Sequence, residues 1–421
     1  MKITGIITEY NPFHNGHAYQ LTQARKETNA DYMIIAMSGN FVQRGAPALL
    51  DKFVRAKMAL LEGADLVLEL PAPWSCASAE YFAEAGIALL SRLGCVDTLC
   101  YGCETPSADV YEKILTLLNH ETPSYQQLLT DHLKSGQSFA RAREYALLEL
   151  LPHTDADAAA EILNNPNNIL ALEYQKAIAK LSDVHHRPRM QVHSILRQGE
   201  GYHSDCVHQA MPSASAIRRF LAGQPADYAH TLEPAMPDAA RRLLLDYAGR
   251  YPFLYEDDCS QMLHYSLLKN AADGFARYAD CSPELSDKII RNLNGYTGFT
   301  DFCTRLKSKD LAYTRISRVL LHILLEVRQD SCVYWRSHSY MPYARMLGFR
   351  KQSQALLSHI KKHASIPLLA RPADAKKNLS DTDAADFYRK HGFADAVYRA
   401  LVLGKSGCKL KHEFEQPPII I

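Results

Sequence analysis

Short β-branched apolar runs alternate with longer amphipathic stretches over the first hundred residues. "KITGIIT" (2–8), "DYMIIAM" (31–37), "DLVLEL" (65–70) and "VDTLCYG" (96–102) read as buried strands. Between them, Gly16 to about Thr28 follows a helical pattern. Asp51 is placed to cap "KFVRAKMALLEGA", whose Phe53, Met58 and Leu61 share a face, and "SAEYFAEAGIALLSRLG" (78–94) closes at Gly94. This alternation predicts a Rossmann-like parallel sheet with helices on both faces, an α/β fold. Ligands of such sheets bind beyond the carboxyl ends of the strands, which is where "TEYNPFHNGH" (8–17) falls.

Residues 107–180 read as a helical insertion. "RMQVHSILR" (189–197) looks like a fifth strand, and "PSASAIRRFL" (212–221) begins another helix. The polar, Pro-rich "GQPADYAHTLEPAMPDA" (223–239) reads as a linker. From there to about Ala400 the signals are helical, "ISRVLLHILLEV" (316–327) being the most apolar. The expected division is a sheet-containing unit over 1–222, with the ligand edge, and a mainly α-helical C-terminal domain over 223–421.

Composition is that of a soluble globular protein, and its net charge of +1 excludes a global polycation. The balance is uneven, though: from Met341 onward there are 14 Lys and Arg against 7 Asp and Glu. Such a basic segment suits either a polyanion partner or a solvated helix face. Ten scattered cysteines read as reduced thiols. No apolar run reaches the ~18 residues of a membrane span, so a cytoplasmic location away from membranes is expected.

His14-Asn15-Gly16-His17 carries the first chemical signal. A helix starting near Gly16 presents free N–H groups and a positive dipole end, to which two imidazoles can add donors for a phosphate. The glycine leaves room for approach, and Asn11, Pro12 and Asn15 can hold the turn.

"NPFHNGH" resembles the HxGH signature of nucleotidyltransferases, which act at the α-phosphorus of ATP. The longer "GIITEYNPFHNGHAYQL" and "MSGNFVQRGAPALLDKFVRAKMALLEGADLVLELP" (37–71) resemble one bacterial family, the tRNA(Met) cytidine acetate ligases, as do "NNILALEYQKA", "SASAIR" and "YTRISRVLLHILL". The resemblance implies ATP and Mg²⁺ as cofactors, with acetate and the anticodon of elongator tRNA(Met) as partners. Catalysis would fall to His14 and His17. ATP contacts would run through Ile7, Thr8, Glu9, Tyr10, Asn11, Pro12, Phe13, His14, Asn15, Gly16, His17, Ala18, Tyr19 and Gln20, joined by Gly102, Asn168 (with Asn167 as alternative) and Arg197. "SASAIRR" is similar to the ISSTxIR phosphate element and would add Ser213, Ser215 and Arg218, with Pro212-Ser213-Ala214 standing where the related element has Ile-Ser-Ser. No protein side chain is implied as a metal ligand.

Arg44, Asp51 and Lys52 form a possible substrate loop, or an internal Asp–Arg bond shapes it. Cys100 and Cys103 form a CxxC that Cys206 and His208 would have to complete for zinc, against the usual ligand spacings. "LVLGKSG" (401–407) lacks the first glycine of a P-loop. The rival functions are an adenylyltransferase of small phosphates, which the long helical C-terminal half disfavours, and a non-catalytic RNA-binding protein, which intact histidines disfavour.

Overall fold

The computed structural model describes residues 1–137, 139–185, 189–198, 211–379 and 381–421. Cys206 and His208 lie outside the described residues. Five parallel strands, β1 (Ile3–Thr8), β2 (Tyr32–Ser38), β3 (Leu66–Leu70), β4 (Thr98–Cys103) and β5 (Gln191–Leu196), stand in the order β3-β2-β1-β4-β5. The apolar runs of β1 to β4 are near-continuous because both faces are covered, whereas β5, at the edge, is mostly exposed or half-buried. Ile3, Ile7, Ile34 and Leu68 enter one core, while Ile6, Met33, Ile35 and Val67 enter the other. The strand order reverses direction at β1, making its carboxyl end the crevice of the sheet.

The sheet does not stop at these five. β6 (Ala344–Phe349) pairs antiparallel with β3, and β7 (Leu368–Leu369) and β8 (Ile419–Ile420) pair parallel with β6. The reading of 240–400 as helical therefore missed two strands, β6 and the two-residue β7, and the sheet is mixed rather than wholly parallel. "ARMLGF" hid because a charged residue, Arg345, sits in an otherwise apolar run. The structure satisfies Arg345 with the carbonyls of Met346 and Ala370 and the Glu413 carboxylate.

Helices α1 (Asn15–Thr28), α2 (Lys52–Leu61), α3 (Ala79–Arg92), α4 (Pro166–His185), α5 (Ala214–Ala222), α6 (Tyr313–Leu324) and α7 (Thr382–Ser406) bear most directly on the site. Asp51 caps α2 as expected, accepting from the amides of Phe53 (2.8 Å) and Val54 (3.1 Å). Phe53 and Met58 are buried, whereas Leu61 faces solvent. The presumed linker is no free tether. Leu232, Ala235 and Met236 are buried in the same core as Tyr10 and Phe13, and the Pro234 and Ala235 carbonyls accept from the Asn15 side chain and amide at 2.8 and 3.0 Å. Three apolar side chains within the Pro-rich run pull it onto the HxGH turn. Among the described residues no helix is long and apolar enough to cross a membrane.

Candidate functional site

At the carboxyl end of β1 the chain turns through Tyr10, with φ of 47°, and a cis Asn11–Pro12 bond before α1 begins. Arg55, fully buried on α2, clamps this edge. Its Nε donates to Leu50 O (3.0 Å), its Nη1 to Glu9 O (2.6 Å) and Ser38 O (3.1 Å), and its Nη2 to Gly39 O. One guanidinium thus ties the ends of β1 and β2 to the start of α2, a role the sequence left unassigned. The Asn11 side chain adds a bond from Leu49 N (2.8 Å).

His14 is the N-cap of α1. Its Nδ1 accepts from Gly16 N at 3.1 Å, and His17 Nδ1 accepts from His14 N at 3.3 Å. Both Nδ1 atoms therefore carry lone pairs, which places the proton of each neutral ring on Nε2. The rings stack with centroids 3.7 Å apart. Burial, then Arg197 and Arg218, push His14 down to about 3. His17 is held well below its ordinary value by burial, then by His14 and Arg197. Both imidazoles are neutral donors at neutral pH, and the first turn of α1 holds no acidic residue to quench its dipole.

Gly16 serves the cap as well as any ligand. A Cβ there would lie 2.9 Å from His14 Cε1 and 3.1 Å from Nδ1, inside the ring that caps the helix.

These groups open into a cavity of ≈ 560 Å³, in the range of small-molecule sites. Of the sequence-derived candidates, Ile7, Thr8, Glu9, Tyr10, Asn11, His14, His17, Gln20, Arg44, Gly102, Arg197, Ser213, Ser215 and Arg218 line it. Ser213 caps α5 by accepting from Ala216 N (3.1 Å), while Arg218 donates to Asn11 O and to Ser215 Oγ (3.1 Å), bringing the start of α5 against the HxGH turn. A Cβ on Gly102 would meet no protein atom closer than 3.4 Å, so packing alone does not demand that glycine. Gly16 and Tyr19 line a smaller recess beside the cavity.

Other candidates are placed elsewhere. Phe13 is core, Pro12 and Ala18 do not line the cavity, and Asn15 faces the 234–235 segment. Asn168, fully buried, accepts from the amides of Glu104 (2.8 Å) and Thr105 (3.2 Å) and so shapes the turn after β4. Its neighbour Asn167 is the one that reaches the cavity.

Asp51 is occupied as a cap, and no Asp51–Arg ion pair forms among the described residues. Lys52 turns away from the cavity altogether. Its ammonium, 1% exposed, lies 2.9 Å from Glu69, 2.5 Å from Asp395 and 3.0 Å from Glu413. Those partners, with His391 on Glu69, also account for the cluster of Glu69, His391 and Asp395, whose centre is taken by a lysine. Cys100 and Cys103 point into opposite cores, three positions apart on a strand, and cannot share an ion.

Sequence reasoning overlooked Gln43, Ala79, Phe82, Tyr174, Thr314 and Arg318 as lining residues. Thr314 and Arg318 are four apart on α6, a spacing that puts both on one helix face and was available as a signal.

The family model HIGH Nucleotidyl Transferase matches residues 1–410. A tRNA(Met) cytidine acetate ligase of Clostridium novyi is 35% identical over 396 residues, 94% of this chain and 95% of that one. One from Clostridium kluyveri is 38% identical over 400 residues, with the same shares. A crystal structure of Thermotoga maritima TmcAL bound with alpha-thio ATP, 27% identical, superposes with a TM-score of 0.89 over 100% of both chains. The apo form of the same protein gives 0.92. With a stacked imidazole pair capping α1 at the reversal of the sheet, and relatives matched over nearly the whole chain, the protein belongs to the tRNA(Met) cytidine acetate ligase family of HIGH nucleotidyltransferases.

Proposed function

We propose that the protein activates acetate with ATP and transfers the acetyl group to N4 of the wobble cytidine of elongator tRNA(Met), in the cytoplasm. The observation that carries this is the pair of neutral Nε2–H donors stacked at the start of α1, facing a cavity large enough for a nucleotide. In the first step an acetate oxygen bonds to the α-phosphorus and the bond to the bridging oxygen breaks, releasing pyrophosphate. Acetate needs no deprotonation, so stabilising charge on the phosphoryl oxygens matters more than a general base. His14 and His17 donate to those oxygens, and their protons are already in place because both Nδ1 atoms are held by backbone amides. Arg218 and the start of α5 hold the outer phosphates. In the second step N4 attacks the acetyl carbonyl, AMP leaves and N4 loses a proton.

Among the described lining residues Glu9 is the sole carboxylate, and it accepts from Gln43 N at 2.8 Å. This donor set suits Mg²⁺ arriving with the triphosphate rather than held in a protein cage. Residues 1–222 carry the ATP chemistry and 223–421 the tRNA docking, with α6 reaching into the cavity from the second region.

Incubation with ATP, Mg²⁺, labelled acetate and bulk tRNA is expected to yield acetylcytidine with AMP and pyrophosphate in equal amounts. The absence of acetate-dependent label in tRNA, beside an active control enzyme, overturns the proposal. His17→Ala should remove acetyl-adenylate formation while the variant stays folded.

A further inference from the structure

The sheet order separates the two ends of the cavity. On the β4–β5 side of β1 stand Gly102, Asn167 and Arg197, next to the Ser213–Arg218 element. On the β2–β3 side stand Arg44, from the loop after β2, and Ala79 and Phe82, from the passage after β3, joined by Arg318. With the imidazole pair at the α-phosphorus and the nucleotide over β4 and β5, the attacking acid approaches from the β2–β3 side. We infer that Arg318 binds the carboxylate of the acid substrate there and positions it for attack, a reading that rests on the function proposed above.

The surroundings of Arg318 fit an absent carboxylate. It is 9% exposed, yet its Nε is buried without an acceptor. Its Nη2 donates to Asp280 Oδ2 at 3.2 Å, but Asp280 also pairs with Arg315 at 3.3 Å. One carboxylate shared by two guanidiniums leaves a surplus positive charge facing the cavity, and a buried donor left unmade is costly. The N-terminus of α3 adds to it, since Ser78 makes no side-chain cap and Ala79 lines the cavity. Beside these donors the walls are apolar, formed by Ile7 and Phe82. A cation next to a small apolar wall suits a short-chain monocarboxylate better than a phosphate.

The placement of Arg318 is fixed by backbone contacts. Gly45, with φ of +81°, comes so close to α6 that a Cβ would lie 2.5 Å from Arg318 N. Ser317 Oγ donates to Gly45 O at 2.7 Å, and the His322 ring nitrogens lie 2.8 and 3.1 Å from Ala279 O and Cys76 O. These contacts stitch α6 to the loops after both β2 and β3.

The test measures acetyl-adenylate formation without tRNA, then KM for acetate, ATP and tRNA in the full reaction. Arg318→Lys should raise the acetate KM by about 10- to 150-fold, the loss expected for a charge-assisted hydrogen bond, with the ATP and tRNA values within about twofold of wild type. Ala79→Val keeps the guanidinium and narrows the same end. It should also raise the acetate KM alone, and it decides the matter if the arginine variant fails to bind ATP. An unchanged acetate KM overturns the inference, as does a defect confined to tRNA or to ATP. Wild-type protein that makes no acetyl-adenylate at any acetate concentration refutes the proposed function itself.

Discussion

Replacing Lys52 by methionine removes the only ammonium from a cluster that also holds Glu69, Asp395, Glu413, His391 and Arg345. At about 3 Å and an effective dielectric near 20, each of its three contacts is worth about 5 kcal/mol before desolvation and carboxylate repulsion are set against it. Those opposing costs are large here. Burial raises Asp395, helped by Glu413 and Glu69, whereas Lys52 first and then His391 hold Glu69 down to about 2 despite burial. Removing one partner from such a buried set costs about 3–5 kcal/mol, since uncompensated charge remains inside. The assay is urea unfolding followed by the buried Trp74 and Trp335. In the variant at least one carboxylate takes a proton in the folded state above its unfolded pKa. Its deficit is therefore greatest at pH 8 and shrinks as the pH falls toward 5. The folded fraction should keep wild-type KM values for ATP and acetate, because Lys52 does not line the cavity. A variant as stable as wild type but with a raised ATP KM refutes this reasoning and returns Lys52 to the substrate loop.

Asn167→Ala should raise the ATP KM with little change in stability, whereas Asn168→Ala, which leaves the Glu104 and Thr105 amides unpaired, should lose about 1–3 kcal/mol by the same unfolding assay. The two histidines refuse protons that the unfolded chain takes up below its ordinary value of about 6.5. Their contribution to stability is thus complete above that pH and is lost as the pH falls through 6 and 5 toward 3. Nitrogen-15 spectra at pH 6 should show both rings with bare Nδ1 and protonated Nε2, and imidazolium signals there would disprove the donor assignment.

Much of the site was legible because its signals are local. The HxGH turn, the Asp51 cap and the five parallel strands each lie within a dozen residues of chain, where period and capping chemistry speak directly. What failed depended on distant partners. Lys52 read as part of a substrate loop because two of its three counter-ions sit at 395 and 413. Asn167 and Asn168 differ by about 100° around a helix, and sequence does not say which faces inward. β6 pairs with a strand nearly 280 residues earlier and owes its buried arginine to Glu413, so no window around 344–349 contains the reason for it.

The same distant partners bear on how the protein is made. Asp395 and Glu413 come off the ribosome long after Lys52, as does the β6 that covers the outer edge of β3. Until then the first 222 residues hold a lysine with only Glu69 of its three acidic contacts, and an open strand edge prone to mispairing. The N-terminal part of the sheet is therefore not a module that can be borrowed intact. A fragment ending near residue 222 should be soluble only with a chaperone, and a graft of this half onto another chain would have to supply the two carboxylates that Asp395 and Glu413 provide here.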